Sequence, residues 1–102
     1  MDIEEIKSSV AAGAFRFSLH AEIEAANEDL DFGQIAEAIA GSEMLEAYPD
    51  TGRGESCLLV GFADSTPIHI VCGFRMKNVV IVTVYIPGPP KFLDPWTRSS
   101  AK

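Results

Sequence analysis

The sequence predicts an α+β fold with N-terminal helices packed on one face of a mainly antiparallel sheet of four to five strands. Three observations carry this. Residues 55–87, ESCLLVGFADSTPIHIVCGFRMKNVVIVTVYIP, read as three apolar, β-branched strands in succession. Short polar connections between them favour an antiparallel meander. The residues before them show helical spacing with capping signals, which segregates helices from strands. With 102 residues, 47% of them hydrophobic, the chain suits one domain with its own core.

Each element has a local cause. Asp2 can cap a first helix, with Glu4 and Glu5 in its first turn, Ile3, Ile6 and Val10 on its apolar face and Gly13 at its end. Ala14 to Phe17 is a short extended piece. Ser18 caps a second helix, LHAEIEAANED, whose apolar face is expected to be Leu19, Ile23 and Ala26. His20 and Glu24 stand four apart on another face, close enough to pair. After a break over Asn27 to Leu30, Asp31 and Gln34 have capping-box spacing. Phe32, Ile35, Ala38 and Ile39 form the expected buried stripe of the third helix, and Gly41 closes it.

Met44 to Tyr48 is short and extended, and a turn runs through Pro49, Thr51 and Arg53 to Gly54. The meander strands are Ser56 to Phe62, Ile68 to Arg75 and Val79 to Ile86, with a polar turn over Ala63 to Pro67 and a tight one at Met76-Lys77-Asn78. The last strand, VVIVTVYI, is nearly continuous in apolar residues, so it is expected to be central and covered on both faces. On that view a charge at Val82 would unfold the domain. Pro87, Pro89 and Pro90 end the sheet. Phe92, Leu93 and Trp96 are placed to fold back over the face the helices leave open. A loose tail is expected over 97–102.

The net charge of −7 weighs against broad nucleic-acid binding by counterion release. Charge is uneven, however: most acids precede Glu55, while Arg75, Lys77, Lys91 and Arg98 follow it, which leaves room for a local basic face. No apolar run reaches membrane-spanning length, and the acidic N-terminus lacks the form of a secretory signal, so the expected location is the cytoplasm. Cys57 and Cys72 sit among apolar strand neighbours and are expected as reduced, buried thiols. With two cysteines, two histidines and no CxxC, no metal site and no cofactor is expected.

The residues suited to chemistry are His20, His69 and Tyr85 as proton carriers, and Arg75, Thr83 and Tyr48 as substrate contacts. His69 alternates with Ile68 and Ile70 and shares a strand face with Arg75. By the same alternation Thr83 and Tyr85 would share a face with Val79 and Ile81. A set of His, Arg, Tyr and Thr, without a nucleotide loop, fits metal-free RNA cleavage. That chemistry needs a base, an acid and a phosphate-binding cation. Structural readings stand beside these: a capping His20, polar groups on a half-exposed sheet face, a Tyr85 reaching solvent.

In order, Ser18-Leu19-His20-Ala21, Ile35 to Ala40, Glu46 to Pro49, Ser56 to Gly61, Pro67 to Val71, Thr83 to Pro87 and Trp96 resemble a prokaryotic domain-of-unknown-function family, numbered four-two-five-eight. That family resembles the compact ribonuclease toxins of the RelE and BrnT kind, often partnered by zinc-finger antitoxins of the YgiT kind. The resemblance implies a RelE-like fold, a toxin–antitoxin setting, mRNA cleavage as the activity, and roles for His20, His69, Thr83 and Tyr85. Where relatives usually carry arginines after His20, this chain has Glu22, Glu24, Glu28 and Asp29, so that RNA sits elsewhere, the protein is inactive, or the helix meets a basic partner. The other readings are a non-catalytic module that pairs with a zinc-finger or DNA-binding protein, and a structural domain that forms a homodimer.

Overall fold

A computed structural model describes residues 2–50, 52, 54–75, 78–89 and 92–98. Thr51 and Arg53 of the expected turn, Met76, Lys77, Pro90, Lys91 and the tail 99–102 lie outside the described residues. The element order is α1 (Ile3–Ala11), β1 (Phe15–Phe17), α2 (Leu19–Asn27), α3 (Phe32–Ala40), β2 (Glu43–Tyr48), β3 (Ser56–Ala63), β4 (Thr66–Arg75), β5 (Asn78–Tyr85), β6 (Phe92–Asp94) and β7 (Thr97–Arg98).

The helix starts follow their caps. Asp2, Ser18 and Asp31 each accept a backbone N–H in the first turn of α1, α2 and α3. Asp31 and Gln34 complete a reciprocal capping box, with bonds of 2.8 and 2.9 Å.

Five strands form one sheet in the order β1-β5-β4-β3-β2. β1 runs parallel to β5, and the other neighbours are antiparallel. β4 is therefore central, and β5, expected there, lies one place in from the β1 edge. The helices cover one face. Ile6, Val10, Ile35, Ala38 and Ile39 pack there against Cys57, Leu59, Ile68, Ile70, Val79, Ile81 and Val84. Cys57 and Cys72 stand opposite each other in this core as free thiols, with Sγ atoms 4.0 Å apart.

Close approach of α3 to β3 depends on one glycine. A Cβ at Gly61 would lie 2.0 Å from the Ala38 carbonyl oxygen, and backbone cannot swing aside as a side chain can.

A bulge in β5 changes which residues face the core. Val71 pairs with Thr83 but Cys72 pairs with Ile81, so Val82 is the extra residue. The alternation resets there. Val79, Ile81 and Val84 point to the helices, whereas Val80, Thr83 and Tyr85 lie on the opposite face. Thr83 and Tyr85 thus do not share a face with Val79 and Ile81. Val82 is 37% exposed, so it is not covered on both faces as the apolar run suggested. The run reads as doubly buried because its valines divide between the core and the open face.

The second helix also departs from its expected packing. Ala21 and Ala25 are buried, while Leu19 and Ile23 face outward. Ile35, Ala38 and Ile39 are buried on α3 as expected, but Phe32 is exposed and rests on Phe17. On the open face, β6 and β7 form a hairpin that folds back as anticipated. Phe92 is buried under it, whereas Leu93 is exposed. Thr97 and Arg98, expected in the loose tail, are paired in β7.

Two consequences can be measured. Gly61→Ala should cost about 1–3 kcal/mol in urea unfolding, because α3 must move off the sheet; an unchanged midpoint would show that α3 has slack. Val84→Asp should abolish folding through an unpaired buried charge, while Val82→Asp should stay within about 1 kcal/mol of the parent. Equal loss in both would refute the bulge.

Candidate functional site

The open face carries the chemistry-bearing side chains. His69 on β4 lies directly opposite Tyr85 on β5 and Val60 on β3. Its Nε2–H donates to the Pro95 carbonyl oxygen at 2.6 Å, an atom that can only accept. The neutral ring then offers Nδ1 as acceptor to the Tyr85 hydroxyl at 3.1 Å. Phe92 sets its ring edge-on to the imidazole, 4.5 Å between centroids. His69 is completely buried, with Leu58, Val60 and Phe92, in a small second core beneath the hairpin.

A carboxylate–guanidinium clasp adjoins this centre. Glu46 and Tyr48 alternate on β2, paired with Leu58 and Ser56, so both face the same side. Arg98 Nε and Nη2 donate to Glu46 Oε2 and Oε1 at 2.6 and 2.8 Å. This two-point geometry is the strong form of the pair. The Tyr48 hydroxyl donates to Glu46 Oε1 at 2.5 Å, and the Arg98 guanidinium lies 4.9 Å over the Phe92 ring. Trp96 rests on Phe62 at 5.8 Å. Asp94 accepts the N–H groups of Trp96 and Thr97 and shapes the hairpin turn.

These contacts set the ionisation. The hydrogen-bonded Arg98 guanidinium is the main cause that lowers the Glu46 carboxyl to about 2, against burial and with help from the Tyr48 hydroxyl. Tyr48 is pushed up to about 12, first by burial and then by its bond to Glu46. Burial lowers His69, although the Pro95 carbonyl opposes this, and burial raises Tyr85. Both thus stay neutral near pH 7.

Of the six residues singled out in the sequence, His69, Tyr85, Tyr48, Thr83 and Arg75 lie on this one sheet face. Thr83 sits between Tyr85 and the bulge, beside Val71. Arg75 ends β4, six residues from His69, which is about 20 Å along a strand. The two therefore cannot serve the same phosphate. Arg75 instead borders a separate hollow of about 190 Å³ whose lining includes Glu55, Ser56, Gly73, Val80 and Val82. Arg16 is exposed on that same face, opposite Val80 in register.

His20 is elsewhere. It opens α2, is 67% exposed, and pairs with Glu24 at 3.3 Å, as the spacing suggested. Glu24 has a second duty: its Oε1 accepts the Val84 N–H at 3.0 Å, and Glu28 accepts that of Ile86 at 3.4 Å. Two of the acids after His20 are thus acceptors for the backbone of β5 and of the residue that follows it.

Sequence reasoning missed Glu46, Phe92, Pro95 and Arg98. The Glu46-Ala47-Tyr48 alternation was a usable signal for the first. Nothing local marks Arg98 as a partner of a residue 52 positions away. Among the described residues, no three His, Cys, Asp or Glu side chains gather as a metal site would require, and no helix is long and apolar enough to cross a membrane.

Three helices on one face of a mixed sheet, with a histidine–tyrosine pair on the other, define a small α+β domain. The chain belongs to the domain-of-unknown-function family DUF4258, whose family model matches residues 17–86. α1 and the hairpin that covers His69 lie outside the matched stretch. No curated protein and no solved structure matches the chain.

The ionisation predicts how the hairpin responds to acid. Folding lowers the Glu46 pKa from 4.5 to about 2, so its stabilisation is whole above 4.5 and drains as pH falls towards 2. His69 is lowered from 6.5, so it favours the folded form above 6.5 and opposes it progressively below that. Trp96, the single tryptophan, reports on the hairpin. Its emission should shift to the red on acidification, most steeply below pH 4.5, and Arg98→Ala should show the shift already at pH 7. An emission that stays constant down to pH 3 would exclude this account of the clasp.

Proposed function

We propose that the open face binds RNA and that His69 and Tyr85 are the proton-transfer pair of a metal-independent ribonuclease, working as the toxin of a toxin–antitoxin pair. The observation that supports this reading is the contact between His69 and Tyr85 on a face that also carries Thr83, Tyr48 and, farther along, Arg75. In this chemistry a base removes the 2′-hydroxyl proton, and the 2′ oxygen attacks phosphorus. The bond to the 5′ oxygen then breaks, and an acid protonates the departing oxygen. A neutral His69 suits the base, and a Tyr85 kept protonated suits the acid. Arg98, released from Glu46, is the cation nearest to that phosphate, and Arg75 is left for a flanking one. The reading requires the 92–98 hairpin to lift. It also places the protein in the cytoplasm, with a zinc-finger antitoxin as partner.

A second reading is favoured by a specific observation: His69 has no exposed surface and both of its nitrogens are engaged. A histidine so satisfied suits a structural role, and the domain is then a non-catalytic binding module.

Incubation of total RNA with purified protein separates the two. The parent chain should cleave RNA in EDTA, and Glu46→Gln, which weakens the clasp and leaves Arg98 in place, should cleave about tenfold faster, whereas Arg98→Ala, which removes the cation, should gain nothing. His69→Gln and Tyr85→Phe should each lose about 100-fold or more. His20→Ala, outside the face, should match the parent. If the folded parent and Glu46→Gln both leave RNA intact, the binding-module reading replaces this one.

A further inference from the structure

The outer side of α2 and α3 presents apolar groups that the core does not use. Leu19, Ile23 and Phe32 are 72%, 53% and 62% exposed. Leu19, Ile23 and Ala26 fall at i, i+4 and i+7, a single helical stripe. Beside it runs a groove of about 400 Å³ between the two helices. Ala25 and Leu30 floor it, Ala26 and Phe32 form its apolar sides, and Glu22 and Asp31 supply its charge. The alanines matter here: small side chains on α2 leave the depth that a leucine would fill. Phe32 is braced by the Phe17 ring at 4.7 Å, so this side is preformed.

The charge around the groove has one sign. Residues 1–42 hold nine of the 15 acidic residues and only two of the eight basic ones, so the whole net charge of −7 resides in the helical half. Glu22, Asp29 and Asp31 are exposed, and Glu28 is half-buried near them. Two copies of this chain meeting here would set Glu22 and Asp31 against their own kind. We infer that the α2–α3 face is a docking surface for an amphipathic helix of a partner protein, with an apolar stripe for the groove and lysines or arginines for its rim. Anchors at i, i+3 or i+4 and i+7 of such a helix match a groove of this kind, and basic flanks neutralise the acids. The surface lies on the opposite side of the sheet from His69, so it is independent of the RNA reading.

The probe is a synthetic helical peptide of leucines on one face and lysines on the other, labelled for fluorescence anisotropy with the full chain. A peptide of the same pattern with glutamates in place of lysines is the comparison. The lysine peptide should bind and the glutamate peptide should not. Ile23→Ser and Phe32→Ser, both at exposed positions, should each weaken binding about tenfold with unchanged thermal unfolding. Glu22→Lys should weaken it similarly, while Glu5→Lys, an acidic site on α1, should leave it unchanged. Three results would overturn the inference. One is equal binding of both peptides or of neither. Another is equal weakening by Glu5→Lys, which marks diffuse attraction. The third is a concentration-dependent dimer abolished by Ile23→Ser, which would make the face a contact between copies of this chain.

Discussion

β1 is three residues long and β5 is eight, so the outer edge of β5 outruns its strand partner. Backbone groups on that stretch need other partners, because leaving a buried amide unpaired costs about 1–3 kcal/mol. Ser18 begins the substitution. Its N–H donates to the Ile81 carbonyl, and its Oγ donates to the Val82 carbonyl at 3.0 Å. Glu24 within α2 and Glu28 at its C-terminal cap continue it, accepting from Val84 and Ile86. The helix is thereby laid along the strand, with its carboxylates acting as a surrogate ladder. Its small residues, Ala21 and Ala25, turn towards the sheet. Its larger apolar residues are left on the outside. The acidity of α2 thus has a cause within the fold, and that acidity also prepares the outer groove.

The sheet has two faces, and the helices close only one. The other is treated in two ways along its length. At the His69 end a hairpin of seven residues, 92–98, builds a second core and seals the imidazole. At the Arg75 end the face stays open around Gly73, Val80 and Val82. Sealing uses one aromatic plug, Phe92, and one two-point ion pair, Glu46 to Arg98. The pair is half-exposed on the arginine side, so it contributes modestly and is sensitive to acid. Such a cover is well held at neutral pH and yet lies at the low-stability end of the molecule.

Charge is divided along the same plane. The helical half carries nine of the 15 acids, while Arg16 and Arg75 stand on the strand face together with Glu46 and Glu55. The net charge of −7 thus lies on the side of the acidic apolar groove, while residues 43–102 balance six acids against six bases.

The fold class, the helix starts and the pairing of the meander were legible because their causes are local. Asp2, Ser18, Asp31 and Gln34 cap within four residues, and short polar turns impose antiparallel neighbours. The face shared by His69 and Arg75 was legible too, since β4 alternates without interruption between them. Alternation failed at β5, where one extra residue at Val82 shifts Thr83 and Tyr85 to the other side of the strand from Ile81. Both alternatives have the same apolar composition. Burial on α2 failed for a related reason: hydrophobicity favours Leu19 and Ile23, but close packing against the sheet requires the alanines. The sequence by itself determined which segments before Pro87 become helix or strand, because propensity, capping and period act over a few residues. Only the tertiary structure decided that Arg98 meets Glu46 and that Pro95 caps His69. Those contacts join segments tens of residues apart, and long-range closure leaves no local imprint on the chain.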